Sequence, residues 1–260
     1  MRSIKSAERT LALLELFSQR ESGLTVGETA RSLAIPQPST SMLLRDLMRL
    51  GYLDYDRETR LFSPTIRVML LGSWISRRFS EAGSIALRLE ALQKAADGET
   101  VYAAIQNGAA IQYVVTLEMD LPDRLRIASG ALRSITCSAP GRILLSLKPD
   151  SEVSGWLRRS NAEATEARLQ VRESEFLERM QRVREQGYAD TEGDSDPNLA
   201  AIAISVQSPM GRMPLAIGVG GPIARIVPKK KKLIEALLNF QTEIGQPSAD
   251  PEPITTDFTR

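Results

Sequence analysis

Gln37, Ser39, Thr40 and Ser41, followed a turn later by Arg45, gather short hydrogen-bonding side chains and one cation at the head of the stretch IPQPSTSMLLRDLMRLGY. Side chains of these types, carried on the first turns of a helix, can reach base edges or phosphate oxygens in a major groove. Met42, between them, hydrogen-bonds poorly but can touch a thymine methyl. The same pattern also suits the solvated side of any surface helix, so its meaning rests on context. Arg57 and Arg60, in and beside the turn Asp56-Arg57-Glu58-Thr59, stand where a hairpin would contact phosphates.

Other chemistry is easier to exclude. The chain has 260 residues, no histidine and a single cysteine, Cys137. Neither a Ser/His or Cys/His nucleophilic pair nor a histidine-containing zinc site can be assembled from it, and no catalytic residue, metal ligand or cofactor is assigned. Cys137 reads as a small buried residue near a pocket. The acidic run Asp190, Glu192, Asp194, Asp196 alternates like a cation loop but lacks the glycine and the terminal glutamate of a calcium hand, so a solvated loop is expected. Gly218-Val219-Gly220-Gly221-Pro222 lacks the full pattern of a dinucleotide-binding turn. The four lysines after Pro228 read as a solvated or anion-binding surface.

The elements that would position the first group follow from periodicity. Ile4, Ala7, Leu11, Leu14 and Phe17 make one apolar helical stripe, which Ser22 and Gly23 end. Thr25 and Glu28 form a capping box for a short second helix carrying Val26, Ala30 and Leu33 inward. Thr40, Leu43, Leu44, Leu47 and Leu50 form the buried stripe of a third. Tyr52–Tyr55 and Arg60–Ser63 then read as the two strands of a wing. Three short helices and a wing, in this order, point to a winged helix-turn-helix that binds double-stranded DNA.

At this point the chain resembles the IclR family of bacterial transcriptional regulators. The resemblance is carried by SAERTLALLELF, LTVGETARSLAIPQPST and LMRLGYLDYD, and in the second half by CSAPGRILLS, EQGYAD, LAAIAISV and LAIGVGGPIARI. It covers about residues 3–245. Family members often carry arginine where Met42 stands, so the operator sequence read here is expected to differ.

Ser63-Pro64 reads as the start of a further helix, apolar at Ile66, Met69, Leu70, Leu71, Trp74 and Ile75; the resemblance implies a linker helix at a dimer contact. Beyond it, helices are expected at Ile85–Ala96, after Cys137, at Glu152–Arg159, Ser174–Gln186 and Pro228–Ile244. Strands are expected at Thr100–Gln106, Ile111–Leu117, near Leu125–Ser129, at Leu199–Val206 and at Leu215–Val219. The fold class is α+β: residues 1–63 the winged helix-turn-helix, 64–80 the linker helix, and 81–245 an effector-binding and oligomerisation domain. By resemblance this last domain is GAF-like, with an antiparallel sheet. Residues 246–260 read as a disordered tail.

The resemblance also implies an effector pocket bordered by Ser138, Ala139, Pro140 and Gly141, approached by Asp190, Thr191 and Glu192. Backbone amides at that helix start would suit an anionic group. Relatives that bind small carboxylates tend to carry a cysteine and two serines at positions matching Ala201, Gly218 and Gly220. Their loss predicts a roomier, less polar pocket for an aromatic or larger effector.

Residues 1–80 hold 12 Lys and Arg against 8 Asp and Glu, and the remainder 21 against 24. A basic first part and an acidic second part suit a nucleic-acid reader joined to a sensor. No apolar run approaches the roughly 18 residues a membrane span needs, and a cytoplasmic protein is expected. The expected function is an effector-modulated, sequence-specific transcriptional regulator acting as a homodimer or tetramer. Two alternatives stay open: an enzyme with a DNA-binding appendage, and a DNA-binding protein with an inert dimerisation domain.

Overall fold

A computed structural model describes residues 4–18, 20, 22–73, 85–119, 125–208 and 213–245. The chain divides into two compact units, Met1–Arg78 and Phe79–Arg260.

In the first unit, α1 (Lys5–Ser18), α2 (Val26–Leu33) and α3 (Gln37–Arg49) precede a two-stranded antiparallel hairpin, β1 (Leu53–Tyr55) and β2 (Phe62–Pro64). The capping box is present: Glu28 N–H donates to Thr25 Oγ1, and the Glu28 carboxylate accepts from Thr25 N–H at 2.8 Å. That backbone bond and the Thr25 hydroxyl hold the Glu28 carboxyl below its ordinary range. At the other end of α3, Gly51 at φ 81° closes a Schellman turn, with Tyr52 N–H donating to Leu47 O at 2.9 Å. Leu24 exchanges two 2.9 Å backbone bonds with Phe62, tying the approach to α2 onto the wing.

Leu13, Phe17, Leu24, Leu44, Leu47, Leu53 and Phe62 fill the core of this unit. Truncating a fully buried leucine such as Leu44 in so small a core would cost about 3 kcal/mol. Two details differ from expectation. Ile4, just before α1, and Ala7 and Leu11 on it face outward, because α1 is apolar on more than one side and Leu13 and Phe17 take the inner position. Pro64 ends β2 instead of starting a helix; Thr65 is the cap of α4 (Ile66–Leu70), accepting from Arg67 N–H. Trp74, Ile75 and the remainder of the expected linker helix, like the tail 246–260, lie outside the described residues.

The second unit is a six-stranded antiparallel sheet in the order β5-β4-β3-β8-β7-β6. The strands are β3 (Thr100–Asn107), β4 (Ala110–Leu117), β5 (Leu132–Ser134), β6 (Ala189–Glu192), β7 (Leu199–Gln207) and β8 (Pro214–Pro222). Alternation along β3, β7 and β8 feeds two cores, one on each face. Val101, Ala103, Ile202, Ile204, Ile217 and Val219 pack under α5 (Ile85–Ala95) and α9 (Lys230–Gly245). Tyr102, Ala104, Tyr113, Ala203 and Ala216 pack under α6 (Ala139–Ser146), α7 (Asp150–Glu163) and α8 (Glu173–Gln186).

Three expectations are corrected here. The strand expected near Leu125–Ser129 is at Leu132–Ser134; Leu125 and Ile127 alternate like a strand but run as irregular cover over the sheet. The acidic run begins as edge strand β6, with Ala189 and Thr191 buried and Glu192 exposed. The lysines are not simply solvated: Lys229 and Lys232 pair with Asp97, Lys229 also with the buried Glu99, and Lys230 with Asp190.

Candidate functional site

On α3, Thr40, Leu44 and Leu47 point into the core, which turns Met42, Arg45 and Arg49 outward. Gln37 and Arg45 are exposed, Ser39 and Ser41 half-buried, and Met42 is 68% exposed. Thr40 is not on this face: it is buried, and its hydroxyl donates to Pro36 O at 3.2 Å. Its role is to pin the helix start. Leu50, expected inside, is the C-cap and 47% exposed. Arg49 is engaged by Asp46 at 3.3 Å, which leaves Arg45 as the more available cation.

The wing turn is fixed by Asp56, whose carboxylate accepts from the Thr59 hydroxyl at 2.7 Å and Glu58 N–H at 2.8 Å. Those bonds, the hydroxyl's first, hold its carboxyl below the usual range. The turn presents Arg57 and, at φ 59°, Arg60, both exposed.

In the second unit a pocket opens on the sheet face covered by α6. Ser138, Ala139 and Pro140 border it, with Thr191 from β6 and Ala201 from β7. Tyr102, Tyr113, Leu125, Ile127 and Arg133 also line it, as do Ser195, Leu199 and Ala200; none of these was nominated from sequence, because each reads as ordinary strand or loop. Gly141 is not in the wall. It stands where a Cβ would collide with Ile135 O, so α6 can pack this closely only with glycine there.

Asp190 and Glu192 point to a separate groove with Arg142, Arg179 and Asp194. Arg142 is buried and donates to Thr136 O, Asp190 O and Asp194, bracing β6 against α6. Burial pushes the Arg142 guanidinium down. Burial works against the Asp194 carboxylate, but the bond and charge of Arg142, the Glu192 N–H and the charge of Arg179 together outweigh it and hold that carboxyl low.

Two expectations about the pocket need correction. The start of α6 has little left for an anion, since Gly141 N–H is taken by Ser138 Oγ at 3.3 Å and Pro140 has no N–H. Arg133 is the cation of the wall instead. Ala201 lines the pocket, Gly218 and Gly220 lie beneath Tyr102 and Leu125 and not in its wall, and the pocket is not roomy. Tyr102 pairs directly with Gly218 across β3 and β8, and its ring lies on that glycine: a Cβ at Gly218 would meet the phenol carbon and oxygen. Leu125 covers Gly220 in the same way. The space left is about 30 Å³, room for a water or two.

Family models match both units: the IclR helix-turn-helix domain over residues 6–57, and the bacterial transcriptional regulator IclR C-terminal domain over residues 82–245. The Pca regulon regulatory protein of Pseudomonas putida is 23% identical over 230 residues, 85% of this chain and 75% of the relative. An IclR transcriptional regulator from Alicyclobacillus acidocaldarius superposes with TM-score 0.74 at 22% identity, covering 94% of this chain and 100% of that one. An IclR homolog from Microbacterium hydrocarbonoxydans, solved with 4-hydroxybenzoate, superposes with TM-score 0.68 at 17% identity, covering 92% and 98%. With both units matched in order, this chain belongs to the IclR family of bacterial transcriptional regulators.

Proposed function

We propose that this regulator binds its operator through α3 and the wing, and that an effector seated between α6 and the sheet alters that binding. The observation that carries the first half is the outward face of α3, where Gln37, Ser41, Met42 and Arg45 stand free of the core that Thr40, Leu44 and Leu47 anchor. Gln37, Ser41 and Arg45 read base edges, Met42 contributes apolar contact, and Arg57 and Arg60 hold phosphates.

The protein acts as a homodimer or a homotetramer. Exposed apolar residues support this: Ile4 (72%) just before α1 and Leu11 (62%) on it, with Ile66 (75%) and Met69 (66%) on α4. Apolar faces of this kind call for a partner, and a two-fold pair of reading helices suits a palindromic site. Nothing in the reading requires catalysis. Among the described residues no helix is long and apolar enough to cross a membrane, which agrees with a cytoplasmic place.

The effector is an aromatic or other hydrophobic acid. The pocket wall supports this through Tyr102, Tyr113, Leu125 and Ile127, with Arg133 available to a carboxylate. Since only about 30 Å³ is open, the effector enters by displacing wall residues such as Leu125, and the empty and filled arrangements give the two states coupling requires. The test is a gel-shift titration on DNA upstream of its own gene. Arg45→Ala should weaken binding about tenfold, and unchanged affinity and salt dependence would contradict the α3 reading.

A further inference from the structure

Tyr102 is the odd residue of the second unit. It is 1% exposed, and its hydroxyl has no hydrogen-bond partner among the described residues. Buried polar groups are nearly always paired, and an orphan hydroxyl is costly. Phenylalanine would fill the same space over Gly218 without that cost. Tyr102 lines the pocket, its ring T-shaped to that of Tyr113 at 5.1 Å between centroids, and its hydroxyl end lies against Gly218. Both phenols are neutral donors at physiological pH, and burial raises their pKa further, that of Tyr113 to about 12.

Gly218 explains why the group is there. Residues facing one another on β3 and β8 share a sheet face, and with any side chain at Gly218 the Tyr102 ring could not lie where it does. The pair is complementary: β8 brings no side chain at Gly218, and the Tyr102 phenol from β3 takes that place. Arg133 lines the same pocket from edge strand β5, is exposed, and spends one N–H on Leu132 O at 3.0 Å.

Resting on the effector-pocket reading, we infer that Tyr102 is the specificity-determining donor of that pocket, selecting a flat ring acid whose buried end carries an oxygen and whose carboxylate stays toward Arg133. A ring acid without the second oxygen leaves the Tyr102 hydroxyl unpaired in the complex and binds more weakly. A small keto acid reaches one group and not both.

The test is calorimetric titration of the full chain with benzoate, 4-hydroxybenzoate, 3-hydroxybenzoate and pyruvate, for wild type and Tyr102→Phe, with thermal melts of both ligand-free proteins. Wild type should favour a hydroxybenzoate over benzoate by about tenfold, the factor one added hydrogen bond supplies. Tyr102→Phe should bind benzoate as well as wild type does and lose the preference. Its ligand-free Tm should be unchanged or raised by about 2–4 °C, because a buried orphan is removed and the packing is kept. An undiminished preference in Tyr102→Phe would overturn the inference, as would a Tm lowered by several degrees, which would mark the hydroxyl as structural. Binding of pyruvate alone would overturn it while leaving the effector pocket intact. Binding of none of the four would count against both.

Discussion

The outward face of α3 and the inward face of the sheet at Gly218 are both candidate recognition surfaces, and they are built in opposite ways. On α3 the chemistry is presented: Gln37, Ser41, Met42 and Arg45 come from nine consecutive residues, and their direction follows from which neighbours the core takes. In the pocket it is withheld. Gly218 and Gly220 contribute no side chain, Tyr102 from more than a hundred residues earlier fills the space, and Leu125 closes the top. A groove reader meets a large, fixed partner and gains from exposed donors. A pocket for a small molecule gains from burial and from a few polar groups held at fixed places.

That contrast can be broken at its strongest point first. Gly218→Ala should cost about 2–3 kcal/mol in denaturant unfolding, because the added methyl would collide with both the Tyr102 phenol and the Ile202 carbonyl oxygen. In a double-mutant cycle with Tyr102→Ala, the double variant should lose less stability than the two single losses added together, and strict additivity would mean the two positions are not coupled. Next comes alkaline stability. Tyr113 has its pKa raised to about 12 by burial, so the stability it contributes is intact below the ordinary phenol value near 10 and is lost as pH rises toward 12. Tyr113→Phe should flatten that limb by on the order of 2 kcal/mol; a limb of unchanged steepness would contradict the burial argument.

The α3 side yields smaller effects. Arg57→Ala should lower affinity for all sequences alike and reduce the salt slope by about one, as expected of a phosphate contact. A change in sequence preference would instead promote Arg57 to a base contact. The smallest is Thr25→Ala, which removes the α2 capping box at a cost of about 1 kcal/mol without altering which operator is preferred.

Much of the first unit was legible because its signals are local. The Thr25/Glu28 capping box, the turn after Asp56 and the Thr40–Leu44–Leu47 stripe each lie within a few residues, and each took the form its spacing implied. The second unit was legible as strands and helices but less so as a site. Leu125 and Ile127 have strand alternation yet cover a pocket, since nothing local records that β4 already has β5 as its neighbour. The β6 strand hid inside an acidic run because its polar residues are the outward half of a two-residue alternation. The lysines of α9 and the turn before it find Asp97, Glu99 and Asp190, all at least 39 residues away, so their pairing could not be read from the run itself. Tyr102 was missed for the same reason: its importance depends on an absent side chain at Gly218.

The most direct test joins the two surfaces in one titration. A fluorescently labelled DNA fragment from upstream of the regulator's own gene is followed by anisotropy against the full chain, with and without 4-hydroxybenzoate, for wild type and Tyr102→Phe. The account predicts sequence-specific binding whose affinity the acid changes about tenfold in wild type, with a markedly weaker response at the same acid concentration in Tyr102→Phe. Specific binding that no ring acid alters in wild type would contradict the claim that this pocket controls the reading of DNA.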